Sequence, residues 1–410
     1  AAYEKLRYLI DYKDERHIRR SAIERIIKRK ILLEGGEGIG LSLIQELVAG
    51  RYLPNNAISD RAAIDVELII LKYKKLQNAL PGNFRDDQHS RKILIRLIGS
   101  EIEAFFYPNN EDDFVAEAFY ETVKDSIKIE ELISYEALKM QVLIACHRSL
   151  FNTDDETLFY KLWLKCLPAD WETLENESTI RGIGEKSPEI WHGIQSALTN
   201  PLSFKLLSKL YDYAIYFSVI REVVRAYGAE SERILSDNAS LGQFTRQFLE
   251  KNYKEQYKKA RSSAIRAVFY IFLTKMLLAL ALEVPYQVYF LDNVEYAPIA
   301  TNVIFHPMLL LFITVSVRPL GEKNTNAIIA GVEGMLTGEG IKIIKVKVKG
   351  GGFFNSIFLV LYSILFLIVF GAIVFTLQEL NWSFVSISLF LGFLTLISYF
   401  ALRIRHSANK

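Results

Sequence analysis

Residues 267–402 confine what this 410-residue chain can fold into, because they hold four apolar runs long enough to cross a bilayer. About 20 helical residues span a hydrocarbon core roughly 30 Å thick. The runs are 267–290, 297–317, 354–377 and 382–402. The third is the strongest, since residues 353–402 carry a single charged side chain, Glu379. The first is the weakest, interrupted by Lys275 and by Glu283, two residues before Pro285.

The flanks of these runs fix an expected orientation. Lys258, Lys259, Arg261 and Arg266 crowd the start of the first, whereas the link to the second carries Asp292 and Glu295 with no Lys or Arg. Residues 318–352 are basic again, with Arg318, Lys323, Lys342, Lys345, Lys347 and Lys349. The turn 378–381 lacks positive charge, and the tail regains it in Arg403, Arg405 and Lys410. Positive loops stay on the cytoplasmic side, so the alternation places both termini in the cytoplasm. The expectation is a multi-pass protein of a plasma membrane or bacterial inner membrane. Tyr286, Tyr289, Tyr296 and Trp382 stand where the outer aromatic belt belongs.

Residues 1–260 read differently. They are charged and show helical periodicity, as in residues 3–33, where Leu6, Leu9, Ile10, Ile18, Ile23, Ile26 and Ile27 recur at three- and four-residue steps. That helix either packs on its neighbours with a solvated charged face or lies on anionic lipid or an acidic partner. The glycines at 35, 36, 38 and 40 invite a phosphate-loop reading, but they follow a helix rather than a strand and lack Gly-Lys-Ser/Thr, which favours a flexible turn. Further helices are expected over 41–49, 59–75, 90–106, 130–151, 155–167, 188–198, 201–227 and 241–266. A loop over 168–187, marked by Gly182 and Gly184, is a candidate division into two subdomains. The fold class is therefore all-α: a large helical cytoplasmic domain (1–260) followed by a four-helix transmembrane region (261–410). Its inner loop, 318–352, carries a short helix over 327–336 and a strand. The strand signal is the strict alternation from Ile344 through Lys345, Val346, Lys347, Val348 and Lys349. Such a strand pairs at an edge with another chain, holds its lysines against lipid headgroups, or folds into a hairpin-like flap.

Function is less legible. The net charge of +2 gives no bulk attraction to nucleic acid. Two cysteines, Cys146 and Cys166, support neither a disulfide framework nor a zinc site, and His17, His89, His147 and His192 have no metal-ligand spacing. No nucleophile–base set or nucleotide motif is present, so no enzymatic activity, cofactor or metal is expected. The leading expectation is a non-enzymatic, membrane-anchored interaction or scaffold domain with a protein partner or a second copy of itself. The alternative is an oligomeric channel or transporter. Charged groups inside a bilayer are costly, so Lys275, Glu283 and His306 are its candidate residues, with a Glu283–His306 hydrogen bond lining a polar path. Lys258, Lys259, Arg261, Lys345, Lys347 and Lys349 are the candidate lipid or partner contacts.

Overall fold

The computed structural model describes residues 15–34, 38–54, 59–108, 110–129, 134–168, 171, 176–290, 296–316, 321–338, 342–346 and 352–408. They are almost wholly helical, as an all-α chain requires. Two compact units divide the chain: one takes residues up to 221 together with 341–348, the other takes 222–340 and 349–410.

The first unit contains α1 (Glu15–Glu34), α2 (Ile39–Ala49), α3 (Asp60–Asn78), α4 (Gly82–Arg85), α5 (Gln88–Phe106), α6 (Asn110–Val123), β1 (Ile127–Ile129), α7 (Tyr135–Phe151), α8 (Asp155–Lys165), α9 (Glu177–Thr199) and most of α10 (Pro201–Tyr227). Helix starts follow local chemistry. Asp87, Ser134, Asp154 and Asn176 each accept a hydrogen bond from an otherwise unpaired first-turn amide. At α2 a carboxylate from another helix does this work: Glu67 accepts from the amides of Gly38 at 2.8 Å and Gly40 at 2.6 Å. Gly40 is needed there, because a Cβ would lie 2.3 Å from the carbonyl oxygen of Ala63.

The loop expected over 168–187 is shorter. α9 begins at Glu177 and runs through Pro188, so the glycines that suggested a loop lie inside a helix. Gly184 has a packing reason: a Cβ at that position would lie 2.5 Å from the Ala79 Cβ at the end of α3. The core of the unit gathers Trp163, Trp171 and Trp191, all buried, with the Trp163 ring centroid 6.3 Å from that of Trp171 and 6.0 Å from that of Trp191. Within it Lys72 donates to Glu101 at 2.5 Å, and Glu101 also accepts from the Tyr73 hydroxyl at 2.7 Å.

β1 pairs in parallel with β2 (Ile344–Val346), in the register Ile127↔Ile344, Lys128↔Lys345, Ile129↔Val346. Ile127, Ile344 and Val346 are buried and Lys345 is exposed, as the alternation requires. The strand of the inner loop thus finds its partner within the same chain. β1 itself was not anticipated, since three residues, Ile-Lys-Ile, are too few to show a period.

The second unit contains α11 (Ser231–Ser236), α12 (Asn238–Leu278), a π-helical turn at Ala279–Glu283, α13 (Val284–Phe290), α14 (Tyr296–Ser316), α15 (Glu322–Leu336), α16 (Gly352–Glu379) and α17 (Phe384–Ala408). Among the described residues, four helical stretches are long and apolar enough to cross a membrane: Asn238–Phe290, Tyr296–Ile313, Ile357–Glu379 and Phe384–Leu402. α12, α14 and α17 meet at Ile271, Leu310 and Ile397. α16 joins α17 near the turn between them, through Leu377, Ile387 and Phe390. Along most of its length its apolar side chains, Phe358 to Val369 among them, are exposed. α15 begins at Glu322, five residues earlier than its sequence suggests. It is held to α12 by hydrogen bonds from Arg246 to Asn326 (3.0 Å) and from Asn324 to the Tyr253 hydroxyl (2.8 Å).

Candidate functional site

Lys275, Glu283 and His306 stand out in sequence as charged or titratable groups in apolar runs, and the fold gathers them into one buried centre. Their exposures are 3 %, 0 % and 0 %, and two further polar residues join them, Asn302 at 2 % and Ser386 at 0 %. α12 supplies Lys275, the π turn supplies Glu283, α14 supplies Asn302 and His306, and α17 supplies Ser386.

The backbone explains how Lys275 and Glu283 come to one place. Eight positions along a regular α-helix leave two side chains roughly 80° apart around the axis. A π turn has more residues per turn, so it rotates less per residue and swings Glu283 back toward the Lys275 face. Pro285 supplies a cause for the turn. Proline lacks an N–H and its ring collides with the carbonyl four residues earlier, and widening the helix at that point relieves both problems. On α14, Asn302 and His306 share a face by their four-residue spacing.

Asn302 bridges the charges. Its side-chain oxygen and its backbone carbonyl both accept from the Lys275 ammonium, while its Nδ2 donates to Glu283 Oε2 at 3.3 Å. Lys275 reaches His306 Nδ1 at 2.7 Å, and His306 Nε2 lies 2.9 Å from the carbonyl oxygen of Phe390. A carbonyl only accepts, so Nε2 carries a proton; with Lys275 charged, Nδ1 is the acceptor. Glu283 takes a second hydrogen bond from the Ser386 hydroxyl, which Ser383 approaches at 2.8 Å. The Phe393 ring centroid lies 4.9 Å from the Lys275 ammonium, adding a cation–π contact. Glu283 and His306 make no direct hydrogen bond among these contacts: Asn302 holds Glu283, Lys275 holds His306, and Lys275 donates to Asn302, so a relay stands in place of the expected pair.

This arrangement satisfies two opposite charges inside an apolar bundle, where an unpaired one is strongly unfavourable. The space beside Lys275, Glu283 and Asn302 is about 10 Å³, close to the minimum for one water. Chemically the centre can hold a proton on Lys275 or His306 and pass it across a 2.7 Å contact.

The basic residues fall elsewhere. Lys258, Lys259 and Arg261 are exposed on α12, and Lys345 is exposed on β2; Lys347 and Lys349 lie outside the described residues. In the first unit His17, Asp154 and Glu156 converge closely enough to suggest a metal site. The Arg20 guanidinium already occupies the place of a cation among them, at 2.8 Å from His17 Nδ1, 2.8 Å from Asp154 and 2.6 Å from Glu156. Comparison of the chain with known protein families, characterised proteins and solved structures gives no match.

Proposed function

We propose that the chain is an integral membrane protein whose last third crosses the bilayer four times and anchors its helical unit on one side, as a non-enzymatic interaction or scaffold domain. The observation that supports the four crossings is the β1–β2 pair. β2 lies between the second and third apolar helices in sequence, yet it belongs to the same compact unit as the helices that precede the first. A segment that folds with that unit lies on its side of the membrane, which requires an even number of crossings between them. This agrees with the alternation of basic and non-basic loops, two arguments with separate origins. Exposed apolar helices such as α16 suit lipid far better than water.

A second reading, a channel or transporter, is favoured by the Lys275–Asn302–Glu283 relay. A charged pair in an apolar bundle is a common mark of an ion or proton pathway. In the first reading the same centre locks three helices together.

One measurement separates them: the number of copies per particle, by native mass spectrometry of the full chain in nanodiscs. A dimer, or a particle that retains another protein, is the expected result. Three or more copies, together with proton or cation flux in vesicles that Glu283→Gln abolishes, moves the assignment to the second reading. A single copy without any partner removes the scaffold reading.

A further inference from the structure

The helical unit carries an open cavity of about 710 Å³, within the range of roughly 300–1,000 Å³ common for small-molecule sites. α1, α3, α5 and α8 form its main walls. α3 turns one face to it, carrying Leu68, Ile69, Lys72 and Lys75 at helical spacing, and Phe105 and Leu164 extend the apolar wall.

The charged lining is unevenly engaged. Glu101 accepts from Lys72, from the Tyr73 hydroxyl and from Trp171 Nε1 at 3.3 Å. Glu103 accepts from Arg19 at 2.9 Å, and Asp113 is paired with Lys161. These three carboxylates are therefore neutralised from within the unit. The fourth, Asp65, lies ten residues from Lys75 along α3, roughly 15 Å away. Lys75 stands in contrast. It is half exposed, and its carboxylate neighbour, Glu177, is 3.8 Å away and itself 83 % exposed. Its ammonium therefore keeps hydrogen-bonding capacity to spare, beside an apolar wall.

We infer that this cavity binds a small acidic amphiphile. Its apolar or aromatic body rests on Leu68, Ile69, Phe105 and Leu164, and its carboxylate or phosphate group is drawn to Lys75. The inference is independent of whether the unit acts as a scaffold.

The test uses the full chain in nanodiscs and equilibrium dialysis, with empty nanodiscs subtracted. The probes are 1-naphthoate and 1-naphthyl phosphate, with 1-naphthylmethylammonium as the charge-reversed control. Saturable binding of an acid at one site per chain is expected, and the tighter acid identifies the head group. Lys75 is exposed enough for Lys75→Glu to leave the fold intact, and it weakens the acid by about tenfold, the effect of one charge-assisted hydrogen bond. The inference is overturned if neither acid binds saturably, if the ammonium control binds as well as the acids, or if Lys75→Glu binds them unchanged.

Discussion

Arg20 shows how a buried charge is carried in the helical unit. It is 1 % exposed and donates to Asp154, Glu156 and the Thr157 hydroxyl. Burial alone lifts the Asp154 carboxyl, but the charge and hydrogen bonds of Arg20 outweigh it and hold that group at about 2. A carboxyl lowered on folding contributes its stability above its unfolded value, near 4, and loses it as the pH falls through about 2. Asp154→Ala removes this partner and the cap of α8 together. The expected loss near neutral pH is about 2 kcal/mol, read as a lower melting temperature by tryptophan fluorescence. The gap between wild type and variant narrows as the melts are repeated from about pH 5 toward pH 2; a gap constant over that range contradicts the pairing. At this scale the sequence is a partial guide. Lys275, Glu283 and His306 announce themselves because charge is rare in apolar runs. Asn302 and Ser386 are neutral, and apolar helices often carry such residues merely for close packing. Only the spacing of Asn302 four positions before His306 hinted that they share a face. The relay through Asn302 arises from three helices meeting, and no single run contains it.

Elements with strong periodicity are where sequence and structure agree most closely. α10 spans the expected 201–227, and α5 starts at Gln88 behind the Asp87 cap, two residues from its expected start. Departures have tertiary causes. α9 absorbs Gly182, Gly184 and Pro188 because Gly184 allows a backbone approach to Ala79 that any side chain would prevent. The π turn is not readable from composition, although Pro285 marks the strain that it relieves. β2 was legible from its alternating lysines, but its partner was not, because a three-residue strand far upstream leaves no pattern. The pairing makes a direct prediction. With Cys146 and Cys166 replaced by serine, cysteines at Lys128 and Lys345 sit opposite each other in register. A short bismaleimide is expected to join them within one chain, giving a band of altered mobility without a dimer. Absence of that band, with both cysteines shown to be reactive, would refute the register.

At the scale of the molecule, the apolar third and the charged remainder are plain in the sequence, whereas the two compact units do not follow that split. The helical unit claims a strand from between two apolar helices, and the other unit begins at Glu222, well before the first apolar run. α12 carries the charged stretch and the apolar stretch as a single helix of 41 residues. Topology is the property to measure here. Lys258→Cys and Glu379→Cys, each in a background with both native cysteines replaced, are expected to react oppositely with a membrane-impermeant maleimide on intact cells. Glu379→Cys is labelled from outside, and Lys258→Cys only after permeabilisation. The same labelling pattern for both would refute four crossings in this orientation. The β1–β2 pair also imposes an order on synthesis. Ile127 leaves the ribosome long before Ile344, and at about 5–20 residues per second the wait is roughly 10–40 s. Until then Ile127 has no strand to cover it, and two long apolar helices are synthesised before its partner appears. Translation and completion of the helical unit are thereby joined into one sequence of events, and a nascent chain stalled before Ile344 carries an unfinished sheet for a chaperone to shield.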